Sequence, residues 1–159
     1  MEIENKKENN NPHKNKVHHI LAHSYAVYFV LFLIGVFFDF IFPVKYFSNP
    51  ITMPTGVILL VCAAFLILWA QKTSRDLNKN DLNKETFYKG PYRYTRSPTH
   101  WGLFLLMLGF GIIANALFVV LSTLISFLIT KFIFLNKQEA ILAEKYGAPY
   151  LEYKKMVKF

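Results

Sequence analysis

The sequence predicts an all-α integral membrane protein with four transmembrane helices, the last two of which form a hairpin. Of the 159 residues, 53% are hydrophobic and Phe alone occurs 16 times. The apolar residues come in long unbroken runs and are not interrupted at helix or strand period, as they would be in a soluble domain. Runs of about 20 apolar residues cross the hydrocarbon core of a bilayer. The charged residues lie between these runs.

The first half of the chain contains two predicted spans. Residues 1–19 are polar and rich in Asn, Lys and Glu, so we expect a disordered basic tail that precedes a membrane domain over 20–159. The first helix is predicted at 20–42, with Asp39 near its far end, where the carboxylate reaches the interface. A proline-containing loop follows. The second helix is predicted at 54–71.

The last apolar block runs for 35 residues from Trp101 to Leu135. One straight helix of that length would measure roughly 50 Å, whereas the hydrocarbon core is about 30 Å thick. The block should therefore fold back, and Asn115 is the strongly polar residue near its middle. We predict helices at 98–114 and 116–146, with a tight turn between them.

The C-terminal part begins with a helix stop at Gly147 and Pro149. A short amphipathic helix is predicted at 150–157, lying on the membrane or capping a site. Orientation follows from the basic residues: with four spans, 17 of the 18 Lys and Arg residues fall on the side of the two termini, and only Lys45 falls on the other. The positive-inside rule then makes both termini cytoplasmic.

Composition also bears on other classes of protein. The net charge of +8 lies between apolar runs and not on a periodic face, which favours a membrane protein over a nucleic-acid-binding protein. The single cysteine, Cys62, lies inside an apolar run and excludes a disulfide within the chain. His19 and His23 are four residues apart, but no carboxylate or thiol is close in sequence, so no metal site is predicted.

The segment "GPYRYTRSPTHWG", Gly90 to Gly102, is the densest group of candidate binding residues. Its two prolines fix the backbone, and Arg96 stands beside the start of a helix. The helix N-terminus and the Arg96 guanidinium both favour an anion. Its aromatic rings offer faces for a cation or a planar base. S-adenosylmethionine has a carboxylate, a sulfonium and an adenine, and fits such a segment. An interfacial loop, with basic residues for lipid phosphates and an aromatic belt, fits the composition as well.

The same segment resembles the signature of the integral-membrane isoprenylcysteine carboxyl methyltransferase and phospholipid methyltransferase superfamily, Gly-Pro-Tyr-x-x-x-Arg-(His/Asn)-Pro-x-Tyr-x-Gly. The matching residues are Gly90, Pro91, Tyr92, Arg96, Pro98 and Gly102. A Gly-x-Gly follows at Gly109 and Gly111, and "NKQEAILAEKYGAPYLEY" is similar to the family's C-terminal motif at Glu139, Leu142, Gly147, Tyr150 and Tyr153. Three positions depart from the pattern, namely Ser97, His100 and Gln138.

The resemblance implies a methyltransferase that uses S-adenosylmethionine and acts on a lipid-like or isoprenoid-like acceptor at the cytoplasmic face. It implies cofactor contacts from Gly90, Pro91, Tyr92, Arg96, Pro98, His100, Gly109, Gly111, Glu139, Tyr150 and Tyr153. Arg96 would bind the cofactor carboxylate, Glu139 the ribose or amino group, and the last two tyrosines would close a lid. His100 and Glu139 are the candidate catalytic bases. An amine, a carboxylate or a thiol acceptor fits equally.

Other interpretations of the same residues have to be weighed. The departures are also compatible with a catalytically inactive scaffold or sensor that retains the fold. A transporter or channel would need charged residues within its spans, and the apolar runs have essentially none. The two glycines on the third helix are equally explained by close helix packing, and Glu139 by a solvated charge on a helix that also carries lysines.

Overall fold

The computed structural model describes residues 12–44, 50–77 and 89–157, and these residues form helices without any β-strand. This confirms the predicted all-helical class. The regular elements are α1 (Pro12–Ile41), α2 (Thr52–Leu77), a short 3-10 helix (Gly90–Arg93), α3 (Pro98–Ile113), α4 (Leu117–Ile129), a π-helical segment (Thr130–Leu135), α5 (Asn136–Tyr146) and α6 (Ala148–Met156).

The first helix starts earlier than the sequence indicated. Residues 1–19 were expected to form a disordered tail, but α1 already begins at Pro12, and residues 1–11 lie outside the described part of the chain. Proline suits the first helical position, where its missing N–H has no intrahelical partner to lose. Each further residue then adds one hydrogen bond to a helix that already exists, so the polar stretch extends it at little cost.

Within the described ranges, three helices are long and apolar enough to cross a membrane: Ala22–Ile41, Thr52–Arg75 and Leu117–Glu144. Their outer faces carry large exposed apolar side chains, such as Phe40 at 86% exposure, which suits contact with lipid. Helix α3 has 16 residues and is therefore about 24 Å long, shorter than a bilayer core of about 30 Å. The fourth span and the cytoplasmic side of the termini stay predictions.

Close backbone contacts hold the helices together. Helix α2 packs along α3, where a Cβ added to Gly56 or to Gly109 would lie 2.9 Å from the other residue's carbonyl oxygen. Helix α1 packs along α4, where a Cβ on Gly35 would lie 2.5 Å from the Ser122 hydroxyl and 2.9 Å from the Phe118 carbonyl oxygen. Small residues thus let helix backbones approach, as is common in membrane bundles.

The hairpin between α3 and α4 turns at Asn115, whose φ of 52° lies in the left-handed region that Asn tolerates. The first turn of α4 is capped by a side chain from a different helix. Asp39 of α1 accepts hydrogen bonds from the backbone N–H groups of Phe118 (3.1 Å) and Val119 (2.9 Å). Ala116 stands at the N-cap and has no side-chain acceptor, so the Asp39 carboxylate of α1 accepts the hydrogen bonds that an N-cap side chain would accept.

The other end of the bundle carries the candidate site. Helix α4 continues through the π-helical segment into α5, which ends at Gly147 with φ of 61°. Helix α6 then folds back, and its buried Tyr150 and Tyr153, together with Val157 just after the helix, pack against Tyr92 of the 3-10 segment. The short C-terminal helix therefore covers this end of the bundle, one of the two positions that its sequence predicted.

Candidate functional site

The site is built on the segment that leads from the 3-10 helix into α3. Gly90 adopts φ of 60°, and a Cβ there would clash with the Thr73 hydroxyl of α2, so only glycine fits this position. The backbone N–H groups of Tyr94 and Thr95 both donate to the Pro91 carbonyl oxygen, at 3.1 and 3.2 Å. Gly90 thus lets the segment approach α2 closely, and the two backbone hydrogen bonds fix the turn that precedes Arg96.

Ser97 occupies the N-cap position of α3, but its side chain makes no capping hydrogen bond. Its backbone N–H donates to the Thr95 hydroxyl at 3.3 Å. Pro98 stands at the first helical position and is buried. The proline therefore sets the start of α3, and an Asn or His side chain is not required at position 97 for the helix to begin there.

The charged centre of the site is the carboxylate of Glu139. Its Oε1 lies 2.7 Å from Arg96 Nη1, and its Oε2 lies 2.8 Å from Lys154 Nζ. The Glu139 side chain is only 5% exposed, against 16% for Arg96 and 45% for Lys154. The solvated charge that composition suggested for Glu139 is thus excluded: two motifs that are distant in sequence meet here as a buried ion pair.

Three tyrosines enclose this charged centre. Tyr150 and Tyr153 are 3% and 2% exposed, and the Tyr153 hydroxyl donates to the Tyr92 carbonyl oxygen at 2.7 Å. Burial raises the pKa of the Tyr150 phenol, the Glu139 charge raises this pKa further, and Arg96 partly opposes the shift. Burial also raises the pKa of Tyr92, partly offset by hydrogen bonding with Ser74 and Thr99. These phenols stay neutral and act as hydrogen-bonding walls.

His100 lies one turn into α3 and is 4% exposed. Its Nε2 is 3.1 Å from the Ser24 hydroxyl of α1, and its ring centroid is 5.9 Å from that of Tyr25. It lines a cavity of about 40 Å³ together with Arg96, Trp101, Thr130 and Lys131. The structure therefore places His100 and Arg96 in the wall of the same cavity, but the hydrogen-bond partner of His100 is Ser24 of α1.

A second and larger space opens on the other side of α3. It measures about 560 Å³ and lies between α1, α2 and α3. Most of its wall is apolar, and its polar groups come from Tyr25, Tyr28, Gln71 and Thr99. Tyr25 lines this groove and also contacts the His100 ring, so His100 and Tyr25 lie between the groove and the small cavity.

The structure does not bring Gly109 and Gly111 to the charged centre. Gly109 packs on α2, and a Cβ on Gly111 would meet Val119 and Val120 of α4 at 3.1 and 2.9 Å. Gly109 also lies about 16 Å along α3 from Pro98. Close helix packing accounts for both glycines, and the cofactor contact that the resemblance implied for them stays a prediction.

Three residues at the two ends of the bundle were not assigned a role from sequence. Ser24 and Asp39 are polar residues inside an apolar run, which is the signal that a side chain faces the bundle interior. Lys154 carried no such signal, since it stands in a basic stretch at the end of the chain. Each of them contacts a residue more than ten positions away, and such contacts depend on the packed fold.

The fold and the site together define a helical membrane protein with a buried charged site at one end of its bundle. A family model for phospholipid methyltransferases matches residues 51–149, more than half of the chain. The chain belongs to the phospholipid methyltransferase family, which makes it a membrane methyltransferase and confirms the resemblance seen in its motifs. No curated protein and no solved structure matches it significantly.

Proposed function

We propose that the protein transfers a methyl group from S-adenosylmethionine to a lipid-like or isoprenoid-like acceptor at the cytoplasmic face of a membrane. The observation that carries this proposal is the Arg96–Glu139 ion pair, 2.7 Å long, which joins the two family motifs in one buried site. A buried ion pair contributes little net stability, because desolvation opposes the attraction. Its charges are better explained as groups that bind a charged ligand.

The residues around the pair fit the cofactor by their chemistry. Arg96 offers a guanidinium for a carboxylate, Glu139 offers a carboxylate for an ammonium or ribose hydroxyls, and Tyr92 and Tyr150 offer aromatic walls. When bound, S-adenosylmethionine would supply an electrophilic methyl group on a sulfonium. The cavity beside Arg96, about 40 Å³, is too small for a nucleoside. Side chains that line it therefore have to move when the cofactor binds.

The groove between α1, α2 and α3 supports a lipid-like acceptor. Its volume of about 560 Å³ and its mostly apolar wall suit hydrocarbon, while Gln71 and Thr99 provide polar groups. Because α2 packs on α3 and α1 packs on α4, the groove lies where α1 is not held closely against α2. An acceptor would enter from the bilayer, and its reactive group would approach His100 from the side opposite Arg96.

The chain's residues would then align the two reactants and exclude water, which is the main demand of an in-line displacement. An amine acceptor also has to lose a proton. His100 lines the small cavity and contacts Tyr25 of the groove, and its hydrogen bond with Ser24 fixes the ring for that task. A carboxylate acceptor needs no base, so loss of activity in a His100→Phe variant distinguishes these acceptor classes.

The test is calorimetric titration of the detergent-purified chain with S-adenosylhomocysteine. We expect micromolar binding by the parent, weakened at least about tenfold by Arg96→Gln and by Glu139→Gln, because each change removes a charged partner. Arg93→Gln is the matched control, since Arg93 is an exposed arginine in the same segment. A parent that is folded by circular dichroism and binds no cofactor product would favour the scaffold or sensor.

A further inference from the structure

Two cations share the single carboxylate of Glu139. Arg96 reaches Oε1 at 2.7 Å and Lys154 reaches Oε2 at 2.8 Å, so both oxygens are already paired with a positive charge. The cluster is thus a buried carboxylate held by two cations, and the ammonium of a zwitterionic ligand can take the place of one of them. Lys154 lies on α6, beyond residues 51–149 that the family model matches.

We propose that Lys154 is a further ligand-binding residue of this site and binds the carboxylate of an amino-acid group whose ammonium replaces Lys154 on Glu139. The inference rests on the proposed function, because the amino-acid group is that of the proposed cofactor. In such a group the ammonium and the carboxylate are attached to the same carbon. A ligand ammonium on Glu139 therefore places its carboxylate between Arg96 and the released Lys154.

Exposure decides which cation gives way. The Lys154 side chain is 45% exposed, and water solvates its ammonium when the ion pair opens. The Arg96 side chain is only 16% exposed, and separating it from a buried carboxylate leaves both charges poorly compensated. The ligand ammonium thus displaces Lys154 and not Arg96.

The position of α6 allows this exchange without unfolding the helix. The helix is anchored by its buried tyrosines, with the Tyr153 hydroxyl on the Tyr92 carbonyl oxygen at 2.7 Å. Lys154 is the next residue, and its side chain of four methylene groups swings while the backbone stays in place. An anchored helix with one mobile cation can hold a ligand carboxylate from the outer side of the site.

The experiment compares two probes by calorimetry on the full chain. S-adenosylhomocysteine carries the amino-acid group, and 5′-methylthioadenosine has the same nucleoside and thioether without it. We expect Lys154→Met to weaken S-adenosylhomocysteine about tenfold and to leave methylthioadenosine within about twofold, as for the loss of one charged contact. Lys154→Arg should recover most of the affinity. Lys155→Met is the matched control, because Lys155 is an exposed neighbour on the same helix.

Two results would overturn the proposal. Unchanged or tighter binding of S-adenosylhomocysteine by Lys154→Met would mean that Lys154 only competes with the ligand for Glu139. An equal loss for both probes would mean that Lys154 merely holds α6 in place. Failure of the proposed function is a separate outcome, since there the parent itself binds neither probe. Thermal unfolding of each variant checks that the bundle is intact.

Discussion

The cap that α1 places on α4 provides the sharpest test of the packing. Two oxygens of Asp39 accept the N–H groups of Phe118 and Val119, at 3.1 and 2.9 Å, from 79 and 80 residues away. Asp39→Ala removes both acceptors at once. It also removes a negative charge from the N-terminal end of the α4 dipole, where a carboxylate is favourable.

The size of the effect follows from these contacts. Loss of an N-cap acceptor costs about 0.5–2 kcal/mol, and a buried N–H left without a partner costs about 1–3 kcal/mol. The two hydrogen bonds are only partly buried, and the two ranges describe the same loss of capping acceptors, so they do not add, and we expect about 2–3 kcal/mol for Asp39→Ala. Asp39→Asn keeps one acceptor oxygen and should cost about 1 kcal/mol.

The assay is unfolding in mixed micelles with increasing SDS mole fraction, followed by helical circular dichroism. Phe40→Ala is the matched control, because Phe40 is the next residue on α1 and is 86% exposed. We expect its free energy of unfolding to change by less than about 0.5 kcal/mol. The reasoning is refuted if Asp39→Ala is as stable as Phe40→Ala, since the cap would then contribute nothing.

Two further predictions concern the helix contact and the lid. Gly109→Val places a branched side chain against the Gly56 carbonyl oxygen, which would lie 2.9 Å from the new Cβ. This change should lower the free energy of unfolding by about 1–3 kcal/mol, measured by the same unfolding assay. The raised pKa of Tyr150 means that the folded protein binds a proton more tightly than the unfolded chain, whose phenol has a pKa of 10.0. The contribution of this pKa shift to stability is therefore fully present below pH 10.0 and falls as the pH rises above it. The melting temperature of Tyr150→Phe should fall less steeply with rising alkaline pH than that of the parent. An unaltered slope would contradict this.

Much of the fold was predictable from the sequence because a membrane helix is marked by a long, uninterrupted run of apolar residues. The hairpin turn at Asn115 follows from a run too long for one crossing, and the start of α3 follows from Pro98. The early start of α1 at Pro12 was not predictable, since polar composition is compatible with a tail or with helix extension. The π-helical segment at Thr130–Leu135 also has no local signal, because its residues are ordinary helix formers.

The charged centre of the site was predictable only through motif resemblance. Neither Arg96, in the loop before α3, nor Glu139, on α5, is unusual in its own segment, and composition alone favoured an interfacial loop for one and a solvated charge for the other. Their contact is a product of packing, because it joins the loop before α3 to α5. The partners Ser24 and Lys154 depend on α1 and α6, and no motif marks them.

The placement of His100 bears on whether the departures from the family pattern mean lost activity. Its ring replaces a tyrosine of the signature, is 4% exposed, and has the Ser24 hydroxyl of α1 at 3.1 Å. Helix α1 lies outside residues 51–149, so the partner for the altered residue comes from outside the matched region. A buried polar group without a partner is costly, and the Ser24 hydroxyl removes that cost for His100. A paired His100 beside an intact Arg96–Glu139 contact therefore supports an adapted acceptor site over an abandoned one.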